Sequence, residues 1–299
     1  MISAVINTYN EEKNIERCLS SLSSWVSEII IVDMGSKDKT LDLARHFKTK
    51  IYTHPHTGFV EPARNFALTK AQGDWILLID ADEEIPHLLS ELLLSYMKST
   101  ISFLRIPRKN IIFGRWMRHA QWWPDYQIRF FKKGAVFWSD KIHSIPLTRG
   151  EGIDIEAKEE YAIVHHNYQT IEQFLDRLNR YTTIQAKEMY LEGKKFSWKD
   201  LLHEGTREFV SRFFANEGYK DGVHGLVASL LQSYSISVIY AKLWELEGFN
   251  EGRIDLDEFK AEETARSKEE TYWILEKQLE KEPPLISKLK LKLEKRLQT

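Results

Sequence analysis

Short apolar runs alternate with helix-like stretches through the first hundred residues. ISAVINTY, EIIIVD, KIYTH and DWILLID are separated by NEEKNIERCLSSL, KDKTLDLARHF and EPARNFALTKA, and LLSELLLSYM follows. Strands and helices alternating at this spacing form βαβ units, whose right-handed crossovers build a parallel sheet with helices on both faces. Ile76, Leu77, Leu78 and Ile79 are apolar in succession, as in a strand covered on both sides. The predicted fold is doubly wound α/β. After Ser99 the pieces SFLRIPRKNIIF, YQIRFFK and AVFWS are β-like, with aromatic residues crowded between them, and predict a mixed or antiparallel extension of the sheet. Beyond residue 168 the spacing of Phe174, Leu175, Leu178, Tyr181 and Ile184 is helical. Two regions are expected, 1–168 and a helical 169–299.

The formal net charge of −2 on 299 residues gives no global field for a polyanion, so a nucleic-acid partner is not expected. Cys18, the single cysteine, excludes an internal disulfide and reads as a packed thiol on a helix. The chain opens on a strand-like run with no export signal in it, and the cytoplasm is the expected location.

Acidic residues gather where the strands end. Asp80, Asp82, Glu83 and Glu84 follow the buried run, and such a cluster repels itself unless something positive sits among it. Thr8, Asn10, Glu11 and Glu12 end the first strand, and Asp33, Gly35 and Ser36 the second. The carboxyl ends of parallel strands lie side by side and are where open α/β sheets bind ligands. Asp33 could accept hydrogen bonds from a ribose or base edge, or simply start a turn with Gly35. Neither a G-x-G-x-x-G nor a G-x-x-x-x-G-K-[ST] motif is present, which excludes a Rossmann dinucleotide site and a P-loop. Asp80-Ala81-Asp82 offers hard oxygen ligands suited to Mg²⁺ or Mn²⁺ bridging to a diphosphate, or caps for the next helix.

VINTYNEEKNIERCLSSL, EIIIVDMGSKDKTLDLA and ARNFALTKAQGDWILLIDADEE together resemble the family 2 glycosyltransferases of the nucleotide-diphospho-sugar transferase (GT-A) fold. The resemblance implies that Thr8, Tyr9, Glu11 and Asp33 hold the nucleoside and that Arg64 lies near the diphosphate or ribose. It also implies that Asp80 touches ribose or metal and that Asp82 ligates the metal. The donor implied is a nucleotide-diphospho-sugar, with UDP the first expectation. FGRWMRHAQWWPDYQIRFFKKG resembles a branch that builds the lipopolysaccharide core, in which a His-Glu pair follows the next strand; here that pair reads His143-Ser144.

Trp116, Trp122 and Trp123 can offer faces to sugar rings or fill the interior. Arg115, Arg118 and Arg129 can pair with phosphate. An inverting transferase needs a carboxylate to deprotonate the acceptor hydroxyl. Asp125 is the candidate base, unless it only forms the turn after Pro124, and Asp140 is second. His143, and after it His165 and His166, are candidates to complete a metal site or meet the diphosphate, or else are structural.

Residues 223–244 are apolar but interrupted by His224, Ser229, Gln232, Ser233, Ser235 and Ser237, which favours a packed or surface-docking helix over a spanning one. Near the carboxyl end Ile286, Leu289, Leu293 and Leu297 share a helical face amid Lys288, Lys292, Lys295 and Arg296. That face predicts peripheral contact with an anionic membrane surface, as suits a glycan or glycolipid acceptor, or ordinary packing. Two rival functions remain at this level, a sugar-phosphate nucleotidyltransferase and a non-catalytic nucleotide-sugar-binding module. The first should carry a basic, glycine-rich loop where NTYNEEKN is acidic.

Overall fold

A computed structural model describes residues 1–55, 61–138, 146–281 and 284–296. Asp140, His143, Ser144 and Leu297 lie outside the described residues.

The strands are β1 (Ile2–Thr8), β2 (Glu28–Asp33), β3 (Thr49–Thr53), β4 (Trp75–Asp80), β5 (Glu83–Glu84), β6 (Phe103–Ile112), β7 (Arg115–Trp116), β8 (Asp125–Lys132), β9 (Val136–Phe137), β10 (Leu147–Thr148), β11 (Gly152–Asp154) and β12 (Ile163–Tyr168). Between them run α1 (Ile15–Leu22), α2 (Thr40–Ala44), α3 (Glu61–Lys70) and α4 (His87–Tyr96). The main sheet is ordered β3-β2-β1-β4-β8-β6-β12-β5, with β7 and β11 also paired to β6. β1 is parallel to β2 and β4, and β2 to β3. β8 runs antiparallel to both β4 and β6, so the expected change of rhythm after Ser99 is the change from parallel to antiparallel pairing.

Alternation along each strand divides the interior in two. Ala4, Ile6, Ile31, Leu77, Ile79 and Phe130 pack with α1, α2 and α4 on one face, while Val5, Val32, Leu78 and Phe131 pack with α3 on the other. The strands buried on both faces are therefore the ones whose sequence is apolar throughout.

The chain divides into two compact units, Met1–Trp116 with Trp123–Asn167, and Met117–Trp122 with Tyr168–Thr299. The division expected at residue 168 assigned 117–122 to the first unit; the structure places them in the second. There Asp221 Oδ2 accepts the backbone N–H groups of Arg118 at 3.0 Å and His119 at 2.9 Å, and the Ala120 N–H donates to the Asn216 carbonyl at 2.8 Å.

The second unit consists mainly of α5 (Ile171–Leu191), α6 (Trp198–Val210), α7 (Gly222–Leu246), α8 (Leu256–Glu280) and α9 (Leu285–Arg296). Thr170, Ser197 and Asp255 cap α5, α6 and α8 with their side-chain oxygens. Residues 218–246 are long and apolar enough to cross a membrane by length and composition, yet α7 packs on α5 and α6 within the unit. Gly225 sits where α7 begins against the preceding turn; a Cβ there would meet the Gly218 carbonyl oxygen at 1.8 Å.

Candidate active site at the strand ends

The ladder fixes which strand ends meet. Thr8 is opposite Asp33, and Asn7 is opposite Asp80, so β1, β2 and β4 deliver their terminal polar residues to one edge. The β1 and β2 loops are laced together: Asn10 N–H donates to Ser36 Oγ, Lys37 N–H to Asn10 Oδ1, and Glu11 N–H to Thr40 Oγ1. Glu11 also accepts from Asn14 Nδ2 at 2.8 Å. Tyr9 packs against the core on the α3 side. The buried Asp33 carboxylate accepts the Gly35 and Ser36 N–H groups at 3.0 and 3.1 Å, a turn that Gly35 permits with φ +94°. The Asn7 amide and the Thr8 hydroxyl are buried and make no hydrogen bond among the described residues. Native folds keep such groups where water or a ligand completes the set.

At the end of β4, Asp80 is held by two guanidinium groups. Arg64 from α3 donates Nη2 to Asp80 Oδ1 at 3.1 Å, and Arg129 from β8 donates Nη2 to Oδ2. Burial pushes the Asp80 carboxyl up, but Arg129, Arg64 and Arg108 more than reverse this and hold it well below the usual carboxylate range. Burial likewise opposes the charge on Arg129, and Asp80 and Glu83 raise its pKa above the ordinary arginine value.

Glu83 is fully buried. Its Oε2 accepts the Asp80 N–H at 2.9 Å, and its Oε1 accepts Arg129 Nη2 at 2.8 Å and Arg108 Nη1 at 3.3 Å. The loop that carries Asp82 is thus closed on itself by a charged side chain. Pairing of β5 with β12 sets His165 opposite Glu83, and the His166 N–H donates to the Asp82 carbonyl at 2.9 Å. His165 Nε2 then lies 3.5 Å from Asp82 Oδ2, with both side chains about nine-tenths buried. His166 Nε2 faces Glu84 at 3.6 Å, and burial followed by Arg17 lowers its pKa.

Asp125, at the start of β8, is opposite Arg108 and accepts its Nε at 2.9 Å and Nη2 at 2.5 Å. Asn110 Nδ2 donates to Asp125 Oδ2 at 3.2 Å and Gln127 Nε2 to Oδ1 at 2.8 Å. Burial raises this carboxyl, and Arg108, Gln127 and Asn110 bring it below its ordinary pKa. The alternative to the base reading, a turn after Pro124, is not what forms at Asp125, which starts a strand and has specific partners across the sheet.

Asp82 offers a hard oxygen that suits Mg²⁺ or Mn²⁺, and His165 beside it an imidazole nitrogen, a donor that favours the transition metal Mn²⁺ over Mg²⁺. Among the described residues no group of three His, Cys, Asp or Glu side chains is placed to hold a metal ion, so a cation here would share its coordination with a ligand. Cys18 is buried on α1, as a packed thiol should be. Its thiol contacts the Asp80 carbonyl at 3.6 Å, and burial, then Glu83, Asp82 and Asp80, push its pKa well above normal.

Glu83 shows in the sequence only as one of the acidic cluster, and Arg108, Asn110 and Asn7 are site residues that sequence reasoning missed. Their signal was a polar residue inside an otherwise apolar strand, as in VINTY and RKNII. The three tryptophans part company. Trp116 and Trp123 meet edge-on at 5.2 Å in the sheet unit, whereas Trp122 belongs to the helical unit with the Arg212 guanidinium 5.5 Å over its ring.

Residues 3–149 match the family model for glycosyl transferase family 2. A protein of Rickettsia bellii (strain RML369-C) described as an uncharacterized glycosyltransferase is 30% identical over 255 residues, 82% of this chain and 86% of that protein. The lipopolysaccharide core biosynthesis glycosyltransferase LpsC of Rhizobium meliloti (strain 1021) is 23% identical over 253 residues, 82% of this chain and 92% of that one. Among solved structures, S. aureus TarS 1-349 in complex with UDP is similar at a TM-score of 0.42 and 15% identity, covering 85% of this chain and 94% of that chain.

Proposed function

Because the chain belongs to glycosyl transferase family 2, and is thus a glycosyltransferase on the GT-A architecture, we propose that it moves a sugar from a nucleotide-diphospho-sugar to a hydroxyl of an envelope glycan of lipopolysaccharide-core type. The transfer is a single inverting displacement assisted by a divalent cation, giving a β-linked product from an α-linked donor. The pairing of Asp82 with His165, beside an Asp80 already compensated by Arg64 and Arg129, carries this reading.

Asp82 and His165 would hold the Mg²⁺ or Mn²⁺, which when bound acts as a Lewis acid on the leaving diphosphate. Asp33, Thr8, Tyr9 and Glu11 line the edge where the nucleoside would lie. Arg64 and Arg129 fix Asp80 and set a positive field beside the diphosphate. The name of LpsC supports the glycan class, and uridine is the nucleobase to try first.

The enzyme works at the inner face of the cytoplasmic membrane, where a lipid-linked acceptor is presented. α9 supports this placement, because Leu285, Ile286, Leu289 and Leu293 are 74%, 84%, 56% and 66% exposed among Lys288, Lys290, Lys292 and Arg296. Apolar residues ringed by lysines suit an anionic bilayer surface.

The experiment is a thermal-shift screen of nucleoside diphosphates and nucleotide-sugars with and without Mn²⁺, on wild type and Asp82→Asn. A metal-dependent stabilisation by one nucleotide class, absent in Asp82→Asn, is expected, since a ligand that binds only the folded state raises Tm. Equal metal-dependent shifts in both proteins would remove Asp82 from the site.

A further inference from the structure

We propose that Asp125 is a positioning residue that sets the proton on the His165 imidazole, turning the Nε2 lone pair toward Asp82, and not the base that activates the acceptor. This rests on the assignment of Asp82 and His165 to a divalent cation. It follows from which atoms can donate. A carboxylate only accepts, so the 3.2 Å contact with Asp125 Oδ2 must come from the Asn110 amide nitrogen. The Asn110 oxygen is thereby turned to the other side, where it lies 2.6 Å from His165 Nδ1. That oxygen also only accepts, so Nδ1 carries the proton. A neutral ring so protonated keeps its lone pair on Nε2, which lies 3.5 Å from Asp82 Oδ2. A lone pair and a carboxylate turned toward each other across that gap are two donors that would hold a cation. The ligand's outer nitrogen thus donates to a fixed acceptor, the arrangement that orients metal-binding histidines and sets their tautomer.

A second arm reaches the same loop. Asp125 occupies Nε and Nη2 of Arg108, which leaves Nη1 directed at Glu83, the residue that closes the loop over the Asp80 N–H. Both arms start at one carboxylate and end on either side of Asp82. The base assignment fits the same facts poorly. Each Asp125 oxygen already accepts from protein donors, and a carboxyl held below its ordinary pKa has low affinity for an acceptor proton.

The test uses the full chain without sugar donor or acceptor. Mn²⁺ affinity is read from the free-ion electron paramagnetic resonance signal with a nucleoside diphosphate present, and the His165 tautomer from ¹⁵N-histidine NMR of the metal-free protein near pH 8. Asp125→Asn removes the charge that holds both the Arg108 guanidinium and the Asn110 amide on one oxygen, so the amide is held less firmly and can turn over. Mn²⁺ affinity should fall about 10- to 100-fold, the usual effect of losing a ligand's outer hydrogen-bond partner. Asn110→Ala should do the same with the Arg108 arm intact, and the double variant should lose little more than either single one. Gln127→Ala removes a contact of Asp125 outside this chain and should stay within about twofold of wild type.

Wild-type NMR should show the Nδ1–H tautomer, and Asp125→Asn should lose it. A wild-type ring protonated at Nε2, or at both nitrogens, would overturn the proposal. So would Mn²⁺ affinities within about twofold of wild type in Asp125→Asn and Asn110→Ala. If Asp125→Asn does not fold, Asn110→Ala decides both measurements. If wild type takes up no Mn²⁺, the cation reading fails by itself, and the tautomer still decides what Asp125 does.

Discussion

Replacing Glu83 by glutamine keeps the side chain's volume and removes its charge. In the native site both oxygens are acceptors: Oε2 takes the Asp80 N–H at 2.9 Å, and Oε1 takes Arg129 at 2.8 Å and Arg108 at 3.3 Å. Glutamine has one oxygen, so its NH₂ must face either a backbone N–H or the guanidinium groups, and a buried donor meets a donor whichever way it turns. Arg129, 3% exposed, keeps Asp80 as its carboxylate partner among the described residues, and Asp80 is shared with Arg64. Removing one partner from a buried ion pair costs about 3–5 kcal/mol, against a usual total of about 5–15 kcal/mol for a native protein. Urea denaturation followed by far-ultraviolet circular dichroism measures the loss. Glu280→Gln is the control, since Glu280 pairs with Lys277 from a half-exposed position and should cost less than about 1 kcal/mol. If Glu83→Gln unfolds within about 1 kcal/mol of wild type, buried charge compensation does not hold this loop together and the reasoning is refuted.

Acid should weaken the fold through Asp80 and Asp125, whose pKa values are lowered in the native state. Their contribution is complete above the unfolded carboxylate pKa of about 4 and is lost as pH falls below it, so Asp80→Asn should flatten the acid limb of a stability-versus-pH curve. Asp33→Ala should weaken nucleoside diphosphate binding in calorimetry without acceptor; an unchanged affinity would leave Asp33 with its turn alone. Leu289→Glu with Leu293→Glu should abolish flotation with phosphatidylglycerol vesicles and leave nucleotide binding intact, whereas vesicle binding retained by the variant, or a dimer in wild type that the variant dissolves, would reassign that face. Cys18 should resist alkylation in the folded protein at neutral pH, and rapid labelling would contradict its burial.

The parallel half of the sheet was legible because its strands are apolar without interruption and its helices are periodic. DWILLID could hardly be anything other than a strand buried on both faces. Asp80, Asp82 and Asp33 were legible for the same reason, since an acid after such a strand has a fixed address. Arg108, Asn110 and the place of Glu83 between two arginines were not. In an antiparallel strand, polar residues at alternate positions read as a solvent face, and the sequence does not say that the face of β6 looks across β8 to the acidic loop. The register of β6 with β8 supplies that, and so does the pairing of β5 with β12 for His165. Trp122 and Trp123 show the same limit at shorter range: adjacent in sequence, they belong to different units.

The excursion of Met117–Trp122 into the helical unit also sets an order in time. The N–H groups of Arg118 and His119 are satisfied by Asp221, a partner 103 and 102 residues further along the chain. A ribosome adding about 5–20 residues per second makes that partner roughly 5–20 s after the loop itself. For that interval the nascent chain holds β7 and β8 joined by a connection in which the Arg118 and His119 N–H groups still await their native acceptor. The β7–β8 connection, which leads directly into Asp125, therefore reaches its final form only when the start of α7 has left the ribosome, however early the parallel strands assemble.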